Sequence, residues 1–265
     1  MHVTLLGTSG WMPSDRRETT CIASRTGHAL LIFDAGTGLR RLGDPAHAAL
    51  LDDVRDIHLF LTHYHLDHVC GLAYLGGVLP GRQITIHAPE VSLTGIEPEV
   101  ALSGLLRRPY VPHDWNDLAH LSVEPIGPRA EVAGRVVTVR PQRHSDVSVA
   151  YRVDDAFVVA TDTPADPGTA EFSAGVGLLL HEGWYRAVDS TTAGLPPGYE
   201  VHSEVEEVAR LAAVAGVNRL VLIHLNPLFG EAYYLQLEAT ARELFTATEV
   251  HSDGDVLDTD RVRVT

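Results

Sequence analysis

The segment Thr62-His63-Tyr64-His65-Leu66-Asp67-His68 puts three imidazoles and a carboxylate within six residues. Imidazole and carboxylate are borderline-to-hard ligands that suit Zn²⁺ or Mn²⁺. The run follows an apolar stretch at 57–61 that reads as a strand. On extended chain, alternation sends His63 and His65 to one side. A turn into a following helix then swings Asp67 and His68 to a neighbouring point. Such spacing suits two cations a few ångströms apart better than one tetrahedral site. The bland alternative is a polar turn of solvated histidines. Histidine makes up 15 of the 265 residues, a reason to look for a metal site that does not itself make one.

The elements that must carry these groups alternate. Strand-like runs occur at 3–6, 29–33, 57–61, 83–87, 135–140, 147–153, 156–160, 176–180 and 219–223. Ser203-Glu204-Val205-Glu206 reads as a capping box, with Ser203 as N-cap. Val205, Val208, Ala209, Ala212 and Ala215 then share a helix face that Gly216 ends. A second helix is expected at 231–245. Strands interleaved with helices suggest two packed sheets with helices outside.

Composition restricts the rest. The charge is −15, from 20 Lys+Arg against 35 Asp+Glu, which gives no general field for phosphate backbones. Two cysteines, Cys21 and Cys70, exclude a secreted disulfide framework. No apolar run approaches the ~20 residues that span a bilayer, so no membrane partner is expected. The N-terminus lacks a basic region and a long apolar region, so a cytoplasmic protein is expected. No linker divides the chain, and residues 1–265 read as a single domain.

The histidine segment resembles the signature of the metallo-β-lactamase superfamily, whose further ligands follow in a set order. Arg143-His144-Ser145 supplies a lone His before a strand, Ala160-Thr161-Asp162 an Asp ending one, and Leu222-Ile223-His224 a late His. The resemblance implies one metal on His63, His65 and His144, another on Asp67, His68 and His224, and Asp162 as their bridge. It implies two divalent ions, zinc by default with manganese allowed, that share an attacking water. Asp34 is similar to a position that orients a ligand histidine. The implied fold is α+β, a four-layered αββα sandwich.

The ligands also discriminate among branches. No cysteine lies between His144 and His224, which disfavours antibiotic hydrolysis. His65 stands where redox-iron members carry Glu. Thioesterases of the fold keep all seven ligands and stay open as an alternative. Leu178 to Trp184 resembles the strand of the ribonuclease Z branch that ends in His-Glu-Ala-Thr, with Gly183-Trp184 as a departure. Val201-His202-Ser203 resembles that branch's His-Ser/Thr segment. The implied roles are a proton donor at His202 and Glu182 fixing its ring. Asp67 joins them as a catalytic candidate.

Long-form tRNA enzymes of the branch insert an arm between His144 and Asp162. Here the separation is 162 − 144 = 18 residues, enough for two strands and a turn. A small or cyclic phosphodiester is therefore the expected substrate, with RNA and tRNA 3′ processing as the alternative and a homodimer allowed. The segment 104–115 reads as a lid or as an ordinary exposed connection. As a lid, Arg107 or Arg108 would meet a phosphate and Tyr110 or Trp115 would stack on a base.

Overall fold

The computed structural model describes residues 1–112, 114, 117, 120–189 and 199–260. Among these, fourteen strands form two seven-stranded sheets. They are β1 His2–Gly7, β2 Cys21–Thr26, β3 Ala29–Phe33, β4 Asp56–Phe60, β5 Ile84–Pro89, β6 Leu121–Ile126 and β7 Arg129–Val132. Then come β8 Arg135–Gln142, β9 Ser148–Val153, β10 Phe157–Ala160, β11 Leu178–Glu182, β12 Arg219–Ile223, β13 Thr248–Val250 and β14 Val256–Asp258. One sheet runs β14-β1-β2-β3-β4-β5-β6 and the other β13-β12-β11-β10-β9-β8-β7. Each combines an antiparallel meander, β1 to β3 or β7 to β10, with a parallel set, β3 to β6 or β10 to β13.

Three apolar layers separate four structural layers. Leu31, Phe33 and Phe60 meet Tyr151, Phe157 and Val221 between the sheets. Leu30 and Ile32 face outward onto Leu39, Leu42 and Leu72. Strand β3 is thus buried on both faces, which is why it reads as an unbroken apolar run. Outside the second sheet, Val158, Leu179 and Leu220 pack on the helices Val205–Ala215 and Glu231–Arg242. This is the expected αββα sandwich.

The helix Val205–Ala215 buries the five expected positions plus Leu211, and Gly216 closes it at φ 64°. The capping box is corrected. Glu204 is the N-cap, with no side-chain cap bond. Ser203 Oγ instead donates to the Thr163 carbonyl at 2.6 Å, and Glu206 accepts from the Ala187 amide. Tertiary partners outcompeted the local motif because both side chains hold loops beside the site.

On the first sheet, His87 is 5 % exposed, stacked on Phe60 and hydrogen-bonded to His58 at 3.0 Å. Burial, aided by His58, pushes His87 down to about 4. The folded chain therefore keeps this ring neutral while the unfolded chain protonates it near 6.5. Stability contributed here is full above that value and is lost as pH falls from 6.5 toward 4. A His87→Phe variant should lose less unfolding free energy than the parent between pH 7.5 and 5 in urea titrations. Equal losses would remove His87 as the source.

Candidate metal centre and the family of the chain

The site lies where parallel strands of both sheets end. Asp34 follows β3, the segment 62–68 follows β4, Asp162 follows β10, Glu182 ends β11 and His224 follows β12. His144 sits in the β8–β9 loop, and His202 precedes the helix Val205–Ala215. Three of these residues turn sharply off their strands in left-handed backbone: Asp34 at φ 59°, Asp162 at 54° and His224 at 48°. Non-glycine residues adopt this region at a cost, and Asp and His tolerate it better than most. Close packing holds the turns. A Cβ on Gly36 would lie 2.4 Å from the Asp67 carbonyl. Tyr151 Oη donates to the Leu61 carbonyl at 2.6 Å, and the Val149 amide to that of Thr62. Strand β9 thereby ties down the chain just before His63.

The side chains converge on Asp162. Its Oδ1 lies 4.0 Å from His63 Nε2 and 3.3 Å from His144 Nε2. Its Oδ2 lies 3.1 Å from His68 Nε2 and 3.2 Å from His224 Nε2. Asp67 Oδ2 reaches His68 Nε2 at 3.2 Å and His224 Nε2 at 3.4 Å. The donors fall into overlapping groups whose ligand atoms lie within 4.8 Å: His63, His65, His144 and Asp162; Asp67, His68 and His224; Asp162, His202 and His224.

Outer contacts aim the nitrogens. Asp34 Oδ2 accepts from His68 Nδ1 at 2.8 Å. Thr62 Oγ1 donates to Asp34 and accepts from His63 Nδ1 at 3.0 Å. His144 Nδ1 meets the Val201 carbonyl at 3.3 Å. Each ring thus spends Nδ1 outward and turns Nε2 inward. His63 Nε2, His68 Nε2 and His224 Nε2 are buried without a hydrogen-bond partner. Buried nitrogens of this kind, around two carboxylates, are the donor set of a divalent metal, so the residues fit one.

Electrostatics agrees. Burial would raise the Asp162 carboxyl, yet His224, His68 and His63 hold it well below the usual range. Burial opposes charge on His224, but Asp162, Asp67 and Glu182 raise it to about 10. His68 is raised in the same way, against burial, by Asp67, Asp162 and Asp34. His63 and His144 are pushed down, chiefly by burial.

Glu182 Oε2 accepts from His202 Nδ1 at 2.8 Å and lies 3.4 Å from His224 Nδ1. Burial would raise Glu182, but His202 and His224 bring it down to about 2. Trp184, the departure from the branch pattern, stacks on His202 with centroids 4.2 Å apart. Three contributors had no distinctive sequence signal. Thr62 is an ordinary strand-end residue, Asp146 on a loop meets His65 Nε2 at 3.1 Å, and Trp11 donates its amide to Asp67 Oδ2 at 2.7 Å.

Arg107, Arg108 and Tyr110 are not brought to the cluster. They are exposed beyond the helix Pro98–Leu105, with Arg107 over the Tyr110 ring and Arg108 facing Asp114. None of them lines the cavity around the cluster. His113 and Trp115 of the same segment lie outside the described residues.

A family model described as "Beta-lactamase superfamily domain" matches residues 30–225. Ribonuclease Z of Mycolicibacterium paratuberculosis is 31 % identical, over 96 % of this chain and 96 % of its own. The metallo-β-lactamase fold protein YhfI of Bacillus subtilis superposes with a TM-score of 0.71 at 24 % identity, over 97 % of this chain and 99 % of that one. Human tRNase Z, short form, gives 0.65 at 19 %, over 98 % and 100 %. The chain belongs to the metallo-β-lactamase superfamily, in its ribonuclease Z branch. It is a metal-dependent hydrolase of the phosphodiesterase and ribonuclease Z kind.

Because the carboxylates raise His224 to about 10 and raise His68 in the same direction, a cation that binds there displaces protons. Zinc titrated calorimetrically at pH 7, in buffers of different protonation enthalpy, should release about one to two protons per chain. Affinity should fall with pH. Binding with no proton release would contradict the charge state described.

Proposed function

We propose that the protein hydrolyses small organic phosphodiesters, cyclic ones included, to a phosphomonoester and an alcohol. The observation that carries this reading is the cavity over the cluster, about 300 Å³ in volume and, among the described residues, lined without an arginine or lysine. That is the small end of ligand pockets. A surface that grips RNA needs clustered basic side chains, and a charge of −15 opposes a polyanion.

We assign one divalent ion to His63, His65 and His144, and another to Asp67, His68 and His224, with Asp162 between them and Zn²⁺ preferred. Bound there, the pair supplies an acidified water and offsets negative charge on phosphoryl oxygens. The protein's own groups do the rest. His202 gives its proton to the leaving oxygen as the P–O bond breaks. Glu182 keeps the His202 ring oriented through Nδ1. Asp34 and Thr62 keep His68 and His63 aimed inward. Donors come from both sheets of one chain, so we read the whole chain as one hydrolase unit that needs no partner subunit to complete the site. We expect it in the cytoplasm. Identity to mycobacterial ribonuclease Z favours a second reading, tRNA 3′ processing.

His65→Ala or Asp162→Ala, or metal removal by chelation, should abolish hydrolysis of bis(p-nitrophenyl) phosphate. Activity that survives chelation would defeat the reading. A panel with a thioester and a tRNA precursor ranks the alternatives by kcat/KM. His202→Ala should lose far more rate with alkoxide leaving groups than with p-nitrophenolate, and equal losses would remove its acid role.

A further inference from the structure

We infer that Trp11 is the specificity element of this site, a fixed aromatic platform for the base or aryl group of an organic phosphodiester. The inference rests on the phosphodiesterase reading and names what that phosphate is attached to.

Trp11 lines the same cavity as the cluster, yet it is 60 % exposed. A large aromatic left in water forgoes the burial that usually places it in a core. Its backbone is also strained, at φ 59°. Contacts hold that conformation. The Trp11 amide donates to Asp67 Oδ2 at 2.7 Å, Ser9 Oγ donates to the Met12 carbonyl at 2.9 Å, and the Gly10 amide donates to Leu225 at 3.0 Å. The preceding residue must be glycine, because a Cβ there would lie 2.5 Å from the His224 ring and 2.6 Å from that of Trp184. The loop is therefore pressed against the site and holds the backbone of Trp11 beside it, so that its indole lines the cavity.

The cavity is lined by the polar groups of the cluster together with Ser145, and by the apolar Trp11, Trp184, Val201 and Leu228, of which Leu228 is 60 % exposed. Among the described residues no arginine or lysine lines it. Apolar and stacking surface is therefore a main source of substrate affinity beside the cations and the lining histidines. Every nucleobase or aryl group has a π-face to offer, and such stacking is typically worth about tenfold or more in affinity.

The test uses the metal-loaded full chain as wild type, Trp11→Ala and Trp11→Phe. The ring is exposed and its anchoring bond is a backbone one, so both variants keep the loop's fixing contact. Trp11→Ala should raise KM for adenosine 2′,3′-cyclic phosphate by about tenfold, with a smaller change in kcat, and Trp11→Phe should recover most of the loss. Equilibrium binding of adenosine 5′-monophosphate against ribose 5-phosphate reads the platform without turnover. Wild type should prefer the nucleotide, and Trp11→Ala should lose that preference. If wild type turns over no phosphodiester but keeps the preference, the reaction assignment fails and the platform stands. An unchanged KM and an unchanged preference overturn the platform. A shift from dimer to monomer in Trp11→Ala by sedimentation, with nucleotide preference intact, also overturns it by making the rim a self-association surface.

Discussion

A buried carboxylate surrounded by imidazoles is the constraint on which this structure depends. Asp162 is 2 % exposed and has four histidine nitrogens within 4.0 Å. An isolated carboxylate in that position would cost several kcal/mol of desolvation. The cost is offset only if compensating positive charge is delivered to the same few ångströms from separate parts of the chain. That demand explains the strained turns. Asp34, Asp162 and His224 leave their strands in left-handed backbone at the points where their side chains enter the cluster. The carboxylate and imidazole types that accept this backbone are also the types the site requires.

The two sheets divide the work. The first contributes Asp34 and the segment 62–68 beyond β3 and β4, and the second contributes Asp162, Glu182 and His224 beyond β10, β11 and β12. Each set projects from the carboxyl ends of parallel strands, where side chains converge in open α/β sheets. Neither set is a complete donor group alone. The apolar layer holding Phe33, Phe60, Tyr151 and Phe157 therefore has a functional consequence. It fixes the distance between two half-sites, and the bond from Tyr151 Oη to Leu61 ties that layer directly to the histidine segment.

Chemistry-bearing residues were more legible in the sequence than geometry was. Strands buried on both faces, such as Ala29–Phe33 and Arg219–Ile223, announce themselves as apolar runs. Cys21–Thr26 is too rich in small and polar residues to do so, and Leu121–Ile126 carries a proline that argues against a strand. The ligand histidines stood out by type and order. Of the residues that aim them, Asp34 was reached through the family pattern, but Thr62 and Asp146 were not, because they are common types whose meaning lies in distances across the fold. Arg107, Arg108 and Tyr110 show the converse. Their chemistry suits a phosphate, but sequence cannot say which face of the molecule a connection occupies, and these three residues do not line the cavity.

Glu182 joins the two chemical tasks of the site. One oxygen faces Nδ1 of both His202 and His224, and the other accepts the Thr163 amide beside Asp162 at 2.8 Å. The two imidazoles bring the carboxyl down, against its burial, to about 2 and so favour its ionised form. A displacement of Glu182 would therefore disturb His224, the turn that carries the central aspartate and His202 together. Trp184 adds a rigid wall by stacking on His202 and lying 5.3 Å from His224. A threonine there would leave that wall open. The departure from the branch pattern at this position thus puts an aromatic ring into the lining of the cavity beside both histidines.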